Sequence, residues 1–351
     1  MPGRDIDMLF MIDNSTGGKT AQANLTRNFP TFVTALRMIQ GGLPNLHVAV
    51  ITSDLGGGDG SIGQCNATGG DKGAFQTAPR GTTCQRGSSG LASGETFISD
   101  VGGVRNYTGN LEDVFSCIAA LGDQGCGMEQ PLAAIARALG ADGQPAPPEN
   151  QGFLRPNAYL LIFILTDEDD CSAPVGTTLF DTATNNTLAS ALGPLQSYRC
   201  NEFGHLCGGV KPPRLAPTGS VNDVVTLDGC VSAEGAGMLI PVSTLVEQIR
   251  SVKPYPDEQI LVAAITGPSA PYVVHWRSPP ITDNGPWPYL GPSCQSSTGD
   301  GEYGDPSVRI TQWVGAFGAN GQSYDICGGQ YANALSAAAA RLAPLFSPPA
   351  Q

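Results

Sequence analysis

Hydrophobic and polar positions along this chain fall into short apolar runs that alternate with segments of helical spacing. Ile6 to Ile12 is apolar everywhere except at Asp7, and Leu46 to Thr52, Tyr159 to Leu165 and Gln259 to Thr266 repeat the pattern. Runs that short, closed by turn residues, read as strands buried on both faces, as in a parallel sheet. Lys19 to Ile39, Leu111 to Leu121, Gln130 to Leu139, Pro241 to Val252, Val308 to Phe317 and Tyr331 to Leu345 carry apolar residues at helical spacing. Pro30 predicts a kink or a restart in the first helix after Asn28, because proline cannot donate to the helical ladder. Phe97 to Ser99 and Tyr272 to Trp276 add short predicted strands. The alternation implies an α/β fold: a doubly wound, mainly parallel sheet with helices on both faces. The pattern reads as a single domain over 1–351, with its core at about 5–346.

Three stretches break the alternation, at about 55–96, 171–237 and 277–307, and read as loop insertions. The chain's 46 glycines and 28 prolines fit long connections. Ten cysteines, none in a C-x-x-C motif, with only three histidines (His47, His205, His275), argue against zinc and for disulfides in an oxidising compartment. Proximity along the chain predicts Cys65 with Cys84, a closed loop worth ~3 kcal/mol by chain entropy. It likewise predicts Cys117 with Cys126, and Cys294 with Cys327. The central four can pair in more than one way, with Cys171–Cys207 and Cys200–Cys230 favoured.

The first strand opens into Asp13-Asn-Ser-Thr-Gly-Gly-Lys-Thr20, with Ser15 or Thr16 placed to cap the helix that follows. Such a loop lies at the carboxyl end of its strand, where open α/β sheets bind ligands. One reading is a phosphate cradle using Lys19 and Thr20, with Asp167 on the magnesium side. Asp13, however, stands where that cradle needs its first glycine, and a carboxylate there repels phosphate. The better reading makes Asp13 and Ser15 hard oxygen ligands for magnesium or calcium.

Strand-Asp13-x-Ser15-x-x-helix, followed much later by a hydrophobic strand ending Leu165-Thr166-Asp167, resembles the von Willebrand factor type A (vWA) domain. The variant it is most similar to is a cysteine-rich form of secreted bacterial proteins. The resemblance implies a metal-ion-dependent adhesion site with Asp13, Ser15 and Asp167 as ligands. It also expects a second serine, where Gly17 stands, and a threonine, where Cys126 stands; Glu129 is the nearest oxygen donor to the latter. The end of the second strand should share this rim, making Asp54 a further rim acid, although rim aspartates are more often only solvated. Glu168, Asp169 and Asp170 extend the acidic run after Asp167. Four acids in a row repel one another, so cations or helix amino termini should relieve them. Asp300, Glu302 and Asp305 loosely suggest calcium, but their spacing lacks the EF-hand pattern and a plain turn is favoured.

Net charge of −13 and a pI near 4.5 argue against nucleic acid and anionic membranes as partners. No apolar run reaches the ~18 residues of a membrane span, and the chain enters its first strand without an apolar signal region, as a mature or trimmed chain would. No G-x-S-x-G elbow places a serine beside a histidine, and no aromatic-rich cleft flanks the paired acids, so no enzyme is expected. The expectation is an extracellular, cell-surface or periplasmic adhesion module that binds a protein ligand or neighbouring subunit, with a divalent cation (Mg or Ca) taking part. The alternatives are a metal-free structural or assembly module and a P-loop-like nucleotide hydrolase.

Overall fold

The computed structural model describes residues 3–57, 65, 69–80, 84, 89–181, 187–297, 299 and 301–346. In chain order, β1 (Asp5–Ile12), α1 (Gly18–Arg37), β2 (Asn45–Thr52), β3 (Ile98–Val101) and β4 (Val104–Arg105) come first. α2 (Leu111–Ile118), α3 (Pro131–Ala138) and β5 (Tyr159–Leu165) follow, then α4 (Tyr198–Gly204), β6 (His205–Cys207), β7 (Val224–Leu227) and β8 (Cys230–Ser232). Next are α5 (Val242–Arg250), α6 (Pro256–Gln259), β9 (Ile260–Thr266), β10 (Tyr272–Arg277), β11 (Trp287–Gly291), β12 (Cys294–Gln295) and β13 (Tyr303–Gly304). α7 (Val308–Gly315), β14 (Gly321–Asp325) and α8 (Tyr331–Phe346) end the fold.

The main sheet has seven strands in the order β14-β9-β5-β1-β2-β3-β4. β14 through β2 run parallel, while β3 and β4 form an antiparallel edge. Side chains alternate across the strands, so the apolar runs feed two cores. Met8, Phe10, Val48, Val50, Leu161 and Phe163 pack under α1, α2 and α8. Leu9, Met11, Ile51, Leu160, Ile162 and Val262 pack under α3, α5 and α7. Phe10 sits at the centre of the first core, with ring centroids 4.8 Å from Phe115, 5.3 Å from Phe163 and 5.8 Å from Phe29. The helix after β1 covers one face and α5, the first main-core helix after β5, covers the other. A topological switch point therefore falls between β1 and β5, where ligands of such sheets bind.

Asp7, the one polar residue inside the first apolar run, is fully buried at the opposite end of β1. Its carboxylate accepts from the Arg155 side chain at 2.7 Å, the Arg155 backbone N–H at 2.7 Å and Lys253 at 3.3 Å. This clamp ties β1 to the loop before β5 and to the turn after α5.

Several expectations need correction. Pro30 does not restart α1, which runs from Gly18 to Arg37 with Pro30 on its exposed side. The buried stripe Leu25, Phe29, Phe32, Val33 and Leu36 continues across it, and that packing outweighs the ~3 kcal/mol a mid-helix proline costs. The strand expected at Tyr272 to Trp276 forms as β10, in a small antiparallel sheet with β11 and β7. β14 went unforeseen because Gly-Gln-Ser-Tyr-Asp is an edge strand with little apolar content.

The expected pairings Cys65–Cys84, Cys117–Cys126, Cys171–Cys207 and Cys200–Cys230 are replaced by Cys65–Cys126, Cys84–Cys117, Cys171–Cys200 and Cys207–Cys230. Cys294–Cys327 forms as expected. The tertiary path sets the exchange. The Arg80 backbone bonds Ala120 at the end of α2, bringing Cys84 to Cys117. The Gln130 N–H bonds the Ser53 carbonyl, and the Gln130 side chain bonds Gly56, bringing the Cys126 loop to the first insertion. Cys207 and Cys230 are direct partners across β6 and β8.

Replacing Phe10 by alanine removes the ring on which four aromatic neighbours pack. The expected cost is about 3–5 kcal/mol of unfolding free energy, read as a lower denaturant midpoint at unchanged slope.

Candidate metal centre

Register builds the site. Ile12 pairs with Thr52 on one side and with Leu165 on the other, so Asp13, Ser53 and Thr166 leave their strands at one level. The Asp13 carboxylate gathers all three turns. Its Oδ1 accepts from the Ser15 N–H at 2.8 Å and from Ser53 Oγ at 3.0 Å. Its Oδ2 accepts from Ser15 Oγ and Thr166 Oγ1, each at 3.1 Å. A hydroxyl that spends its proton on a carboxylate still carries lone pairs. The arrangement is therefore a set of hard oxygen atoms held by one acid, the donor chemistry magnesium and calcium require.

Against this set stand acids with no cation among their leading influences. Glu129 is 2% exposed and Asp167 is 4% exposed, and Glu129 Oε1, Asp167 Oδ1 and Asn14 Oδ1 have no hydrogen-bond partner. Burial first, then the Asp13 charge, pushes Asp167 up to about 9 and Glu129 up to about 8. Glu168 shares a hydrogen bond with Glu129, and burial followed by the Glu129 charge drives it well above the carboxylate range. Burial, then Asp169, pushes Asp305 up to about 7. Orphaned carboxylate oxygens beside a ring of hydroxyls fit a divalent cation. Asp13, Ser15, Ser53, Thr166, Asp167 and Glu129 are the residues that could hold one.

Gly17 explains the missing second serine. Its φ is +116°, and a Cβ there would lie 2.8 Å from Asp167 Oδ2 and 3.3 Å from the Tyr303 hydroxyl. Any side chain would displace Asp167, so the further hydroxyls come from Ser53 and Thr166 instead. Sequence reasoning passed over both. The signal was present, because each is a polar residue directly following a strand that flanks β1. Cys126, at the expected threonine position, is buried and bonded to Cys65, so its sulfur is no ligand.

The remaining acids do other work. Asp54 turns away from Asp13 and accepts from the Gly56 N–H at 2.7 Å. Asp169, expected on the rim, accepts from the N–H groups of Arg309 and Ile310 at the start of α7 and from His205 Nε2 at 2.9 Å. Those bonds hold it below the usual carboxylate range despite burial. Asp170 bonds the buried Arg309 at 3.0 Å, Ser172, and the Leu132 N–H in the first turn of α3. The acidic run is thus divided, Asp167 and Glu168 facing the hollow while Asp169 and Asp170 anchor helix starts.

Lys19 is 58% exposed and paired with Asp123 at 2.8 Å. His47 bonds the Phe153 carbonyl, His205 bridges Asp169 and Tyr272, and His275 stacks on Tyr289. Cys294, Asp325 and Cys327 place three potential ligand atoms within 4.8 Å of one another. Their two sulfurs are joined in a disulfide and offer no thiolate, leaving Asp325 to bond the Cys327 N–H. Of the loose acidic turn, Asp300 lies outside the described residues, Glu302 packs against Asn24 and Tyr331, and Asp305 lies near Asp169.

The fold and site define a disulfide-bonded α/β protein with a mostly parallel sheet and an oxygen-lined acidic hollow at its switch point. No protein-family model matches the chain, and no curated protein matches it. Among solved structures, the RrgA pilus adhesin of Streptococcus pneumoniae is similar at 11% identity and a TM-score of 0.29. The match covers 74% of this chain and 39% of the adhesin, so the chain spans about two-fifths of that protein's length. A likeness this low carries no argument about function.

The raised carboxyls fix a pH dependence. Folding takes up protons on Asp167 and Glu129, so without cations their contribution to stability is complete below the ordinary carboxylate range, is lost progressively as pH rises from about 4, and the loss levels off at about 8 to 9. In chelator, the melting temperature of the wild type should fall over that window relative to Asp167→Asn, whose amide cannot ionise. Parallel curves would contradict the burial of an uncompensated acid.

Proposed function

We propose that this chain is an extracellular, non-catalytic protein-binding module on a vWA-like fold, in which a divalent cation accepts a carboxylate from a protein partner. The observation that carries it is the Asp13 carboxylate, which draws the hydroxyls of Ser15, Ser53 and Thr166 from three turns into one set beside the orphaned oxygens of Asp167 and Glu129. The sheet order, with one antiparallel strand beyond β2 and parallel strands beyond β5, supports the vWA-like reading. A cation with an open coordination position attracts an acidic side chain that a chain of net charge −13 would otherwise repel. Five disulfides with no free cysteine among the described residues support an oxidising location, at the cell surface or in the periplasm. Among those residues no helix is long and apolar enough to cross a membrane.

One observation favours a second reading, a metal-free structural or assembly module. The hydrogen bond between Glu168 and Glu129 lets the acids share protons and stay neutral without a cation.

Elemental analysis of the purified protein, with calorimetric titration of Mg²⁺ and Ca²⁺, separates the two. The cation reading expects stoichiometric binding with release of protons, tighter as pH rises from neutral, and Asp13→Ala weakening it by about 100-fold or more. No bound metal and no chelator-dependent shift in melting would leave the structural module as the answer.

A further inference from the structure

The third insertion brings a hydroxyl to the hollow from outside the three turns that build it. A Cβ on Gly17 would meet Asp167 Oδ2 at 2.8 Å and the Tyr303 hydroxyl at 3.3 Å, so both oxygens flank one point beside the Asp13 loop. Ser15, Ser53 and Thr166 commit their protons to Asp13. The Tyr303 hydroxyl makes no hydrogen bond with the described residues, while Asp167 Oδ1 is an enclosed acceptor that nothing fills. A phenol beside a carboxylate ordinarily donates to it, because leaving both unpaired is costly. Two oxygen groups that share a space and leave each other unpaired are placed for a common third partner.

The neighbours of Tyr303 hold it there. Glu302 is buried and accepts from Asn24 of α1 at 3.3 Å and from the Tyr331 hydroxyl of α8. On the other side Gly304 lies against the end of β9, so close that a Cβ on it would stand 2.7 Å from the Gly267 Cα. The Asp305 N–H donates to the Asp167 carbonyl at 2.7 Å, and Cys294–Cys327 ties β12 to the turn after β14. A residue gripped on both flanks loses little further freedom when its oxygen is engaged. Magnesium and calcium take roughly six or more oxygens, and a phenol hydroxyl is an oxygen donor with lone pairs to offer.

We propose, on the cation reading of the hollow, that the Tyr303 hydroxyl is a further oxygen donor to that cation. Cation binding then fastens the third insertion to the sheet, through a side chain far in sequence from Asp13 and Ser15.

The probe is Tb³⁺, a hard ion whose luminescence is excited through an adjacent tyrosine ring, added to the full disulfide-bonded chain; Mg²⁺ and Ca²⁺ are titrated separately by calorimetry. Tyr303→Phe, which removes one oxygen and keeps the ring, should weaken cation binding by at least about tenfold. Its Tb³⁺ decay, compared in H₂O and D₂O, should report about one more bound water than the wild type, since water takes a vacated oxygen position. Its tyrosine-excited emission should drop, whereas Tyr289→Phe should match the wild type in affinity, hydration and emission. In the wild type, Mg²⁺ or Ca²⁺ should also slow hydrogen exchange at the Ser293 and Ser296 amides, which bond the Gly304 and Glu302 carbonyls across the hairpin. No slowing there would overturn the proposal without recourse to a variant. Wild-type binding that Tyr303→Phe leaves unchanged in affinity and hydration, with the fold intact by circular dichroism, overturns this proposal alone. A wild type that binds none of the three ions overturns the cation reading and takes this proposal with it.

Discussion

The parallel pairing of β1 with β2 and β5 is the constraint on which the rest depends. It is a backbone ladder, indifferent to side chains, yet it fixes which residues leave the sheet together. With Ile12 level with Thr52 and Leu165, a carboxylate and two hydroxyls from distant parts of the chain emerge within hydrogen-bond reach. A slip of one residue would send each to the other face. The Asp7 clamp at the far end and the Phe10 cluster beneath oppose such a slip.

Charge is the second organising term. An acidic chain that gathers carboxyls at one rim must neutralise them, and three solutions appear there. Asp169 and Asp170 use helix starts, His205 and Arg309. Asp13 uses four donors. Asp167, Glu129, Glu168 and Asp305 have neither, and burial raises them until protonation or a cation relieves them. The insertions keep those acids from water, because Tyr303 and the Cys171–Cys200 disulfide stand against the same space.

Legibility along the chain follows the strength of the local signal. The four apolar strand runs and the amphipathic helices carry their own evidence in their spacing. Asp13 and Ser15 were legible because a strand ending in Asp-x-Ser is a local pattern. Ser53 and Thr166 were not, since a polar residue after a strand is ordinary until register shows that it faces Asp13. Asp54 was the visible acid on its strand, while the serine before it does the work. β14 was silent, being an edge strand that hydrogen bonding rather than burial keeps in place.

By itself the sequence determined the layered α/β architecture, the wealth of cysteines available for disulfides, the acidic balance of charge and the strand end at which Asp13 and Ser15 stand. Each is written in composition or in short-range periodicity, which folding preserves. Tertiary structure alone decided which cysteines meet, which acids are neutralised by helix starts and which are left to face the hollow. Those choices turn on contacts between residues far apart in the chain. The free energy of such contacts is set by burial and by the neighbours that burial supplies, and neither can be read before the sheet is assembled.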